Sequence, residues 1–182
     1  MRKLPDIITQ EEFEVLFDAA SKLEKKKKTK RAKHQIKKYR IAMLLGFEAG
    51  MRISEVVGYG EKVPALTKDR VDDVSIKIIS GKGGKDRVVP KPKRLNKTAT
   101  EMLPLNLKRR SLQHFITSLG KDTLNKKISF HTLRHAFCSH LAGQGRPLHE
   151  IQMLAGHSRL DTTGIYLHVN PKKAIEKARE VF

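Results

Sequence analysis

Apolar residues recur three and four positions apart through most of this chain, and two positions apart in only one short segment. That pattern dictates helices almost throughout, since a helix turns about every 3.6 residues and a strand alternates its faces. Phe13, Leu16, Phe17 and Ala20 define a first helical face, and Thr9-Gln10-Glu11-Glu12 ahead of them has the form of a capping box. A buried helix is expected over residues 40–57, with Gly46 and Gly50 weakening its middle. Val74, Ile76 and Ile78 alternate, Gly81-Lys82-Gly83-Gly84 follows, and Arg87-Val88-Val89 continues, which spells a β-hairpin with a glycine-rich turn. Pro90, Pro92 and Pro104 keep the next stretch extended or looped. Leu112, Phe115, Ile116 and Leu119 restore the helical spacing, and further helices are expected near 131–143, 147–155, 161–168 and 171–181. The expected fold is α+β and mostly helical, with one small antiparallel sheet, in a single domain over residues 1–182.

Charge narrows the partners. Thirty-eight Lys and Arg against nineteen Asp and Glu give +19, a field that suits a polyanion. Ten of those bases fall within residues 25–40 without one carboxylate, a run that reads as a solvated loop. The rest of the chain stays basic, so the charge is spread rather than confined to a tail. No run of about 18 apolar residues exists to cross a membrane, and residues 1–10 lack the apolar core of a signal peptide. No strongly basic amphipathic helix favours a membrane surface. A lone Cys138 excludes an internal disulfide. The expected class is a soluble, cytoplasmic protein that binds nucleic acid.

Four clusters carry chemistry-bearing side chains. Gly50-Met51-Arg52-Ile53-Ser54-Glu55 sets an arginine within apolar surroundings. Phe130-His131-Thr132-Leu133-Arg134-His135 places His131 and Arg134 three apart, on one helix face. Leu154-Ala155-Gly156-His157 ends a helix at a glycine, and Tyr166 follows nine residues after His157. Taken singly, each has an ordinary structural reading: a satisfied histidine, a surface ion pair between Arg52 and Glu55, a tyrosine ring in the core, a lysine facing solvent. His131, His135, Cys138 and His140 are spaced closely enough to suggest a metal, but the glutamate of H-E-x-x-H and a second cysteine are missing, which argues against one.

The joint order is more specific than any part. R-x-S-E, G-K-G-G-K in a hairpin, H-T-L-R-H, L-A-G-H-S and T-T-G-I-Y occur in that sequence, and together they resemble the tyrosine recombinase family, close to its Xer and phage-integrase branches. The resemblance runs from the Thr-Gln-Glu-Glu helix to the residues after Tyr166. It implies site-specific DNA recombination or integration, in which Tyr166 attacks a phosphodiester and holds the strand as a 3′-phosphotyrosine.

The implied chemistry suits these residue types. Attack at phosphorus builds charge on non-bridging oxygens, and a guanidinium meets two of them with two donors, so Arg52 and Arg134 form the natural clamp. A phenol with an ordinary pKa near about 10 needs a base or a cationic pocket, and His131 is the candidate base. By resemblance Lys82 protonates the departing oxygen, with Lys85 as the fallback. His157 is expected to donate a hydrogen bond to the phosphate, and Glu55 to brace the pocket from behind. Arg87, Lys85, Lys25, Lys26, Lys27 and Lys28 are expected to contact DNA phosphates. No cofactor or metal is called for, because arginine and lysine supply the positive charge.

Relatives usually precede this domain with a helical core-binding domain that completes a clamp around double-stranded DNA, and the sequence as it stands begins where the catalytic domain should begin. Weak, strongly salt-dependent DNA binding is therefore expected, with a monomer free in solution and a tetramer of protomers on DNA. Two alternatives remain open: a DNA-binding or regulatory fragment without productive recombination, and type IB topoisomerase-like strand cleavage.

Overall fold

The computed structural model describes residues 7–79 and 86–156, and their architecture is the mostly helical one with a small antiparallel sheet that periodicity dictates. The first helix, α1 (Gln10–Lys26), opens on the capping box read from sequence. The Thr9 backbone N–H donates to Glu12 Oε2 at 3.1 Å, and the Glu12 N–H donates to Thr9 Oγ1 at 3.2 Å. It buries Phe13, Leu16 and Ala20 against α2 (Lys30–Phe47), where Phe13 stacks on Phe47 with ring centroids 3.9 Å apart.

Helix α2 corrects two expectations. Residues 25–40 are not a loop: α1 runs to Lys26, and α2 starts at Lys30 after Thr29, whose hydroxyl accepts from the Ala32 N–H. Lysine and arginine are good helix formers, and Ile36 and Tyr39 anchor the basic turns to the core. Nor is 40–57 one helix. Every residue from Ile41 to Phe47 is buried, as suits a central helix packed on α1 and α6, but α2 ends there. Gly50 then turns left-handed (φ +62°), and a short α3 (Ile53–Val57) begins after Arg52. A Cβ on Gly50 would lie 2.4 Å from Phe137 Cδ1, so the position is closed to other residues by space as well as by φ.

Beyond a single 3₁₀ turn (Lys68–Arg70), β1 (Ser75–Ile78) pairs with β2 (Arg87–Pro90), with Ile76 opposite Val89 and Ile78 opposite Arg87. Ile76, Ile78 and Val89 face the core, as the period of two requires. A short α4 (Lys97–Thr100), capped by Asn96, leads into a looped stretch that buries Leu103, Leu105 and Leu107. Three helices follow: α5 (Arg109–Leu124), α6 (Phe130–Gly143, capped by Ser129) and α7 (Leu148–Ala155). Helix α7 packs on α6 and β2 and stops at Gly156, again left-handed (φ +62°). The helices expected near 161–168 and 171–181, and the hairpin turn, lie outside the described residues.

Candidate active site

Three arginines from distant parts of the chain meet at the C-terminal end of α7. Arg87 donates from Nε to the Leu154 carbonyl at 2.8 Å. Arg134 donates from Nη2 to the Ala155 carbonyl, and from Nη1 to the Gly50 carbonyl at 2.5 Å. Arg52 donates from Nη2 to the Gly156 carbonyl at 2.8 Å. The last carbonyls of a helix have no partner within it and carry the negative end of its dipole, so they are a natural rack for guanidiniums. Gly156 makes the rack possible, because a Cβ there would lie 2.9 Å from Arg87 Cδ.

One carboxylate serves two of the three. Both oxygens of Glu55 are gripped by Arg87 Nη1 and Nη2, at 2.7 and 2.8 Å. The same oxygens accept from Arg52 Nη1 at 2.9 Å and from the Arg52 backbone N–H at 2.7 Å. Four bonds fill a carboxylate's acceptor capacity, which leaves Glu55 as a brace rather than a base. Burial alone would raise its pKa, but the Arg87 hydrogen bonds and charge, joined by Arg52, outweigh burial and hold the carboxyl below its usual range.

Three guanidiniums against one carboxylate leave positive charge in excess. Arg134 is 2% exposed and faces no carboxylate directly. Burial, then repulsion from Arg52, draws its pKa down to about 10, so it remains a cation at neutral pH. The excess borders an open cleft of about 910 Å³ whose walls include Arg52, Arg134 and His131. A terminal guanidinium nitrogen carries two hydrogens, so one bond to a carbonyl leaves a second for an anion. His131 is exposed on α6, and its ring meets the edge of His135 at a centroid distance of 4.2 Å. Burial, then His131 and Arg134, pushes the His135 pKa down to about 4, which keeps that imidazole neutral at working pH.

Of the residues expected in catalysis, the structure thus brings Arg52, His131 and Arg134 to one cleft, with Glu55 behind them. Lys82, Lys85, His157 and Tyr166 lie outside the described residues. Arg87 is a correction: expected on DNA, its side chain is 6% exposed and bonded inward to Glu55 and Leu154. Lys25, Lys26, Lys27 and Lys28 are exposed around the junction of α1 and α2, away from any carboxylate partner among the described ion pairs. Arg109, Arg110, Gln113 and His114 of α5 also line the cleft and were missed. Their signal was present, since they are polar positions flanking the buried face of Leu112, Ile116 and Leu119. Among the described residues no group of three metal-ligating side chains comes together.

The helical scaffold thus holds more guanidinium than carboxylate charge beside an open cleft. The chain belongs to the phage integrase family, whose sequence pattern matches residues 6–173. The tyrosine recombinase XerD of Staphylococcus epidermidis is 31% identical over 202 residues, a match that covers 97% of this chain and 62% of that protein. XerD of Staphylococcus aureus is 30% identical over 206 residues, covering 100% and 63%. The chain therefore spans less than two thirds of the length of these curated relatives. Among solved structures, XerA recombinase superposes with a TM-score of 0.70 at 24% identity, covering 99% of this chain and 66% of that one. XerH bound to its difH substrate in a pre-cleavage complex gives 0.74 at 20%, covering 99% and 55%. The catalytic domain of bacteriophage HP1 integrase gives 0.60 at 20%, covering 95% and 93%. These likenesses establish the fold. No described helix is long and apolar enough to cross a membrane.

Proposed function

We propose that this chain is the catalytic domain of a site-specific tyrosine recombinase, which breaks and rejoins double-stranded DNA through a 3′-phosphotyrosine at Tyr166. The observation that carries the reading is the shared cleft: Arg52 and Arg134, 82 positions apart in the chain, are both held on α7 and both border the cavity that His131 enters. A phosphodiester seated there meets two cations. As the phenol attacks, charge grows on the non-bridging oxygens and each added N–H bond strengthens, the kind of preorganised stabilisation that dominates many enzymes. His131 draws the proton from Tyr166, His157 donates to a phosphate oxygen, and Lys82 returns a proton to the departing 5′-oxygen. The product ester conserves the bond, so a second strand's hydroxyl reverses the step and rejoins DNA.

The family membership and the relatives' names support this reading, and the Tn1549 transposon integrase, solved in complex with circular intermediate DNA, has such a fold (TM-score 0.63). Lys25, Lys26, Lys27 and Lys28 contribute sequence-independent phosphate contacts, and further copies of the chain complete a synapse on DNA. The test is a suicide duplex nicked beside the cleavage point. Wild type should form a covalent adduct that survives denaturation, and Tyr166→Phe should form none; adduct formation by Tyr166→Phe, or its absence from wild type, contradicts the proposal. Replacing the four lysines with glutamine should flatten the dependence of DNA affinity on salt, and an unchanged slope removes them from the interface.

A further inference from the structure

Of the three arginines that meet at α7, Arg52 and Arg134 line the cleft and Arg87 does not. All three nitrogens of Arg87 donate inward, one to Leu154 and two to Glu55, and its side chain is nearly inaccessible. Yet both of its partners belong to the clamp. Leu154, Ala155 and Gly156 present consecutive carbonyls, of which Arg87 takes the first, Arg134 the second and Arg52 the third. Glu55, the other partner, fixes Arg52 by two bonds of its own.

We propose that Arg87 is a positioning residue for the phosphate clamp: by locking the last turn of α7 to Glu55 it sets the direction of both cleft arginines without touching DNA. The inference rests on the strand-cleavage reading of the cleft. Its physical basis is geometric. A bidentate guanidinium fixes the plane of the carboxylate as well as its distance. The carboxylate plane determines where Oε1 meets Arg52 Nη1 and where Oε2 meets the Arg52 backbone. At the same time the Nε bond prevents the final turn of α7 from rotating, and any rotation would displace the carbonyls that hold Arg134 and Arg52 together. Lysine cannot substitute, because a single ammonium supplies charge without the planar fork. Arg87 also carries this constraint across the fold, since it sits on β2 while Glu55 is on α3 and Leu154 on α7.

The competing role is a buried ion pair that only stabilises the fold. Arg87→Lys separates the two, because it keeps the charge in the cavity and loses the fork; Arg87→Met removes both. Three readings are taken on wild type and each folded variant: single-turnover adduct formation on the nicked duplex, affinity for an uncleavable duplex, and the side-chain ¹H–¹⁵N resonances of Arg52 and Arg134. In Arg87→Lys adduct formation should fall about 100-fold, the scale of a clamp displaced by about an ångström. Affinity should stay within about threefold, and both arginine resonances should move. Arg87→Met should behave alike, and where it fails to fold Arg87→Lys carries the test alone. Adduct formation at the wild-type rate in Arg87→Lys, or an affinity loss equal to the rate loss, overturns the inference. So do unmoved Arg52 and Arg134 resonances, a reading that needs no cleavage. A wild type that forms no adduct counts against the strand-cleavage reading, while the resonances still decide whether Arg87 sets the clamp.

Discussion

The fold contains two arginine knots with opposite charge balance. Near the start of α1, Arg94 is bonded to both oxygens of Glu14, at 2.8 and 3.0 Å, and to Glu48 through Nε at 2.8 Å, while it lies 4.7 Å over the Phe17 ring. Two carboxylates surround one guanidinium, so the knot is electrostatically closed and its work is to join α1 to the end of α2. At the end of α7 three guanidiniums gather with one carboxylate, Glu55, which bonds Arg52 and Arg87 but not Arg134, and the knot is open. Both use the same residue types at similar distances. What separates scaffold from site is the ratio of carboxylates to arginines, and whether a cleft borders the excess.

That contrast can be broken in order of effect. Glu55→Ala removes the only carboxylate bonded to the open knot among the described residues and leaves buried guanidiniums to repel each other. Urea denaturation should show a loss of about 3–5 kcal/mol, the usual cost of stripping one partner from a buried pair; a loss under about 1 kcal/mol would mean that the knot does not depend on its anion. Next, Arg134→Met should lower adduct formation on nicked DNA by about 10²–10³-fold, the scale of losing a transition-state donor. Its melting temperature should fall less than that of Glu55→Ala, because Arg134→Met orphans the Gly50 and Ala155 carbonyls rather than a buried charge. In the closed knot, Arg94→Met should cost about 1 kcal/mol, since Arg94 is 34% exposed and solvent screens its pairs. Adduct formation there should be unchanged, and a rate loss would show that the two knots are coupled.

The smallest effect is expected at His135 beside the open knot, where burial first, then His131 and Arg134, hold the pKa near 4, below the ordinary 6.5. A histidine depressed in the folded state stabilises fully above its unfolded pKa. That contribution disappears as pH falls from about 6.5 toward 4, because the unfolded chain takes up the proton first. Melting temperature should decline across that window in wild type and decline less in His135→Gln; parallel curves would remove His135 from the titration.

Local patterns were legible where the physics is local. The Thr9–Glu12 capping box, the apolar face of α5 and the glycine stop of α7 all appear where spacing puts them. The basic turns of α2 were not, because a dense run of like charge resembles a solvated loop until Ile36 and Tyr39 are seen to anchor it and lysine's helix propensity extends it. Arg87 was readable and misjudged: it shares a face of β2 with buried Val89, so alternation already pointed it inward. The partners it finds there were not readable. Leu154 lies 67 positions away and Glu55 lies 32, and no local pattern encodes which carbonyl a folded helix will offer. Arg52 and Arg134 stood out by motif, while the means of holding them belongs to tertiary structure.

The central claim is that the excess charge at the end of α7 exists to hold a DNA phosphate, and a structure of the full chain on a nicked duplex tests it most directly. The account predicts one phosphate whose non-bridging oxygens lie about 2.7–3.1 Å from the guanidinium nitrogens of both Arg52 and Arg134, with none on Arg87. A duplex bound along the lysines between α1 and α2, with the cleft arginines touching no phosphate, would contradict it.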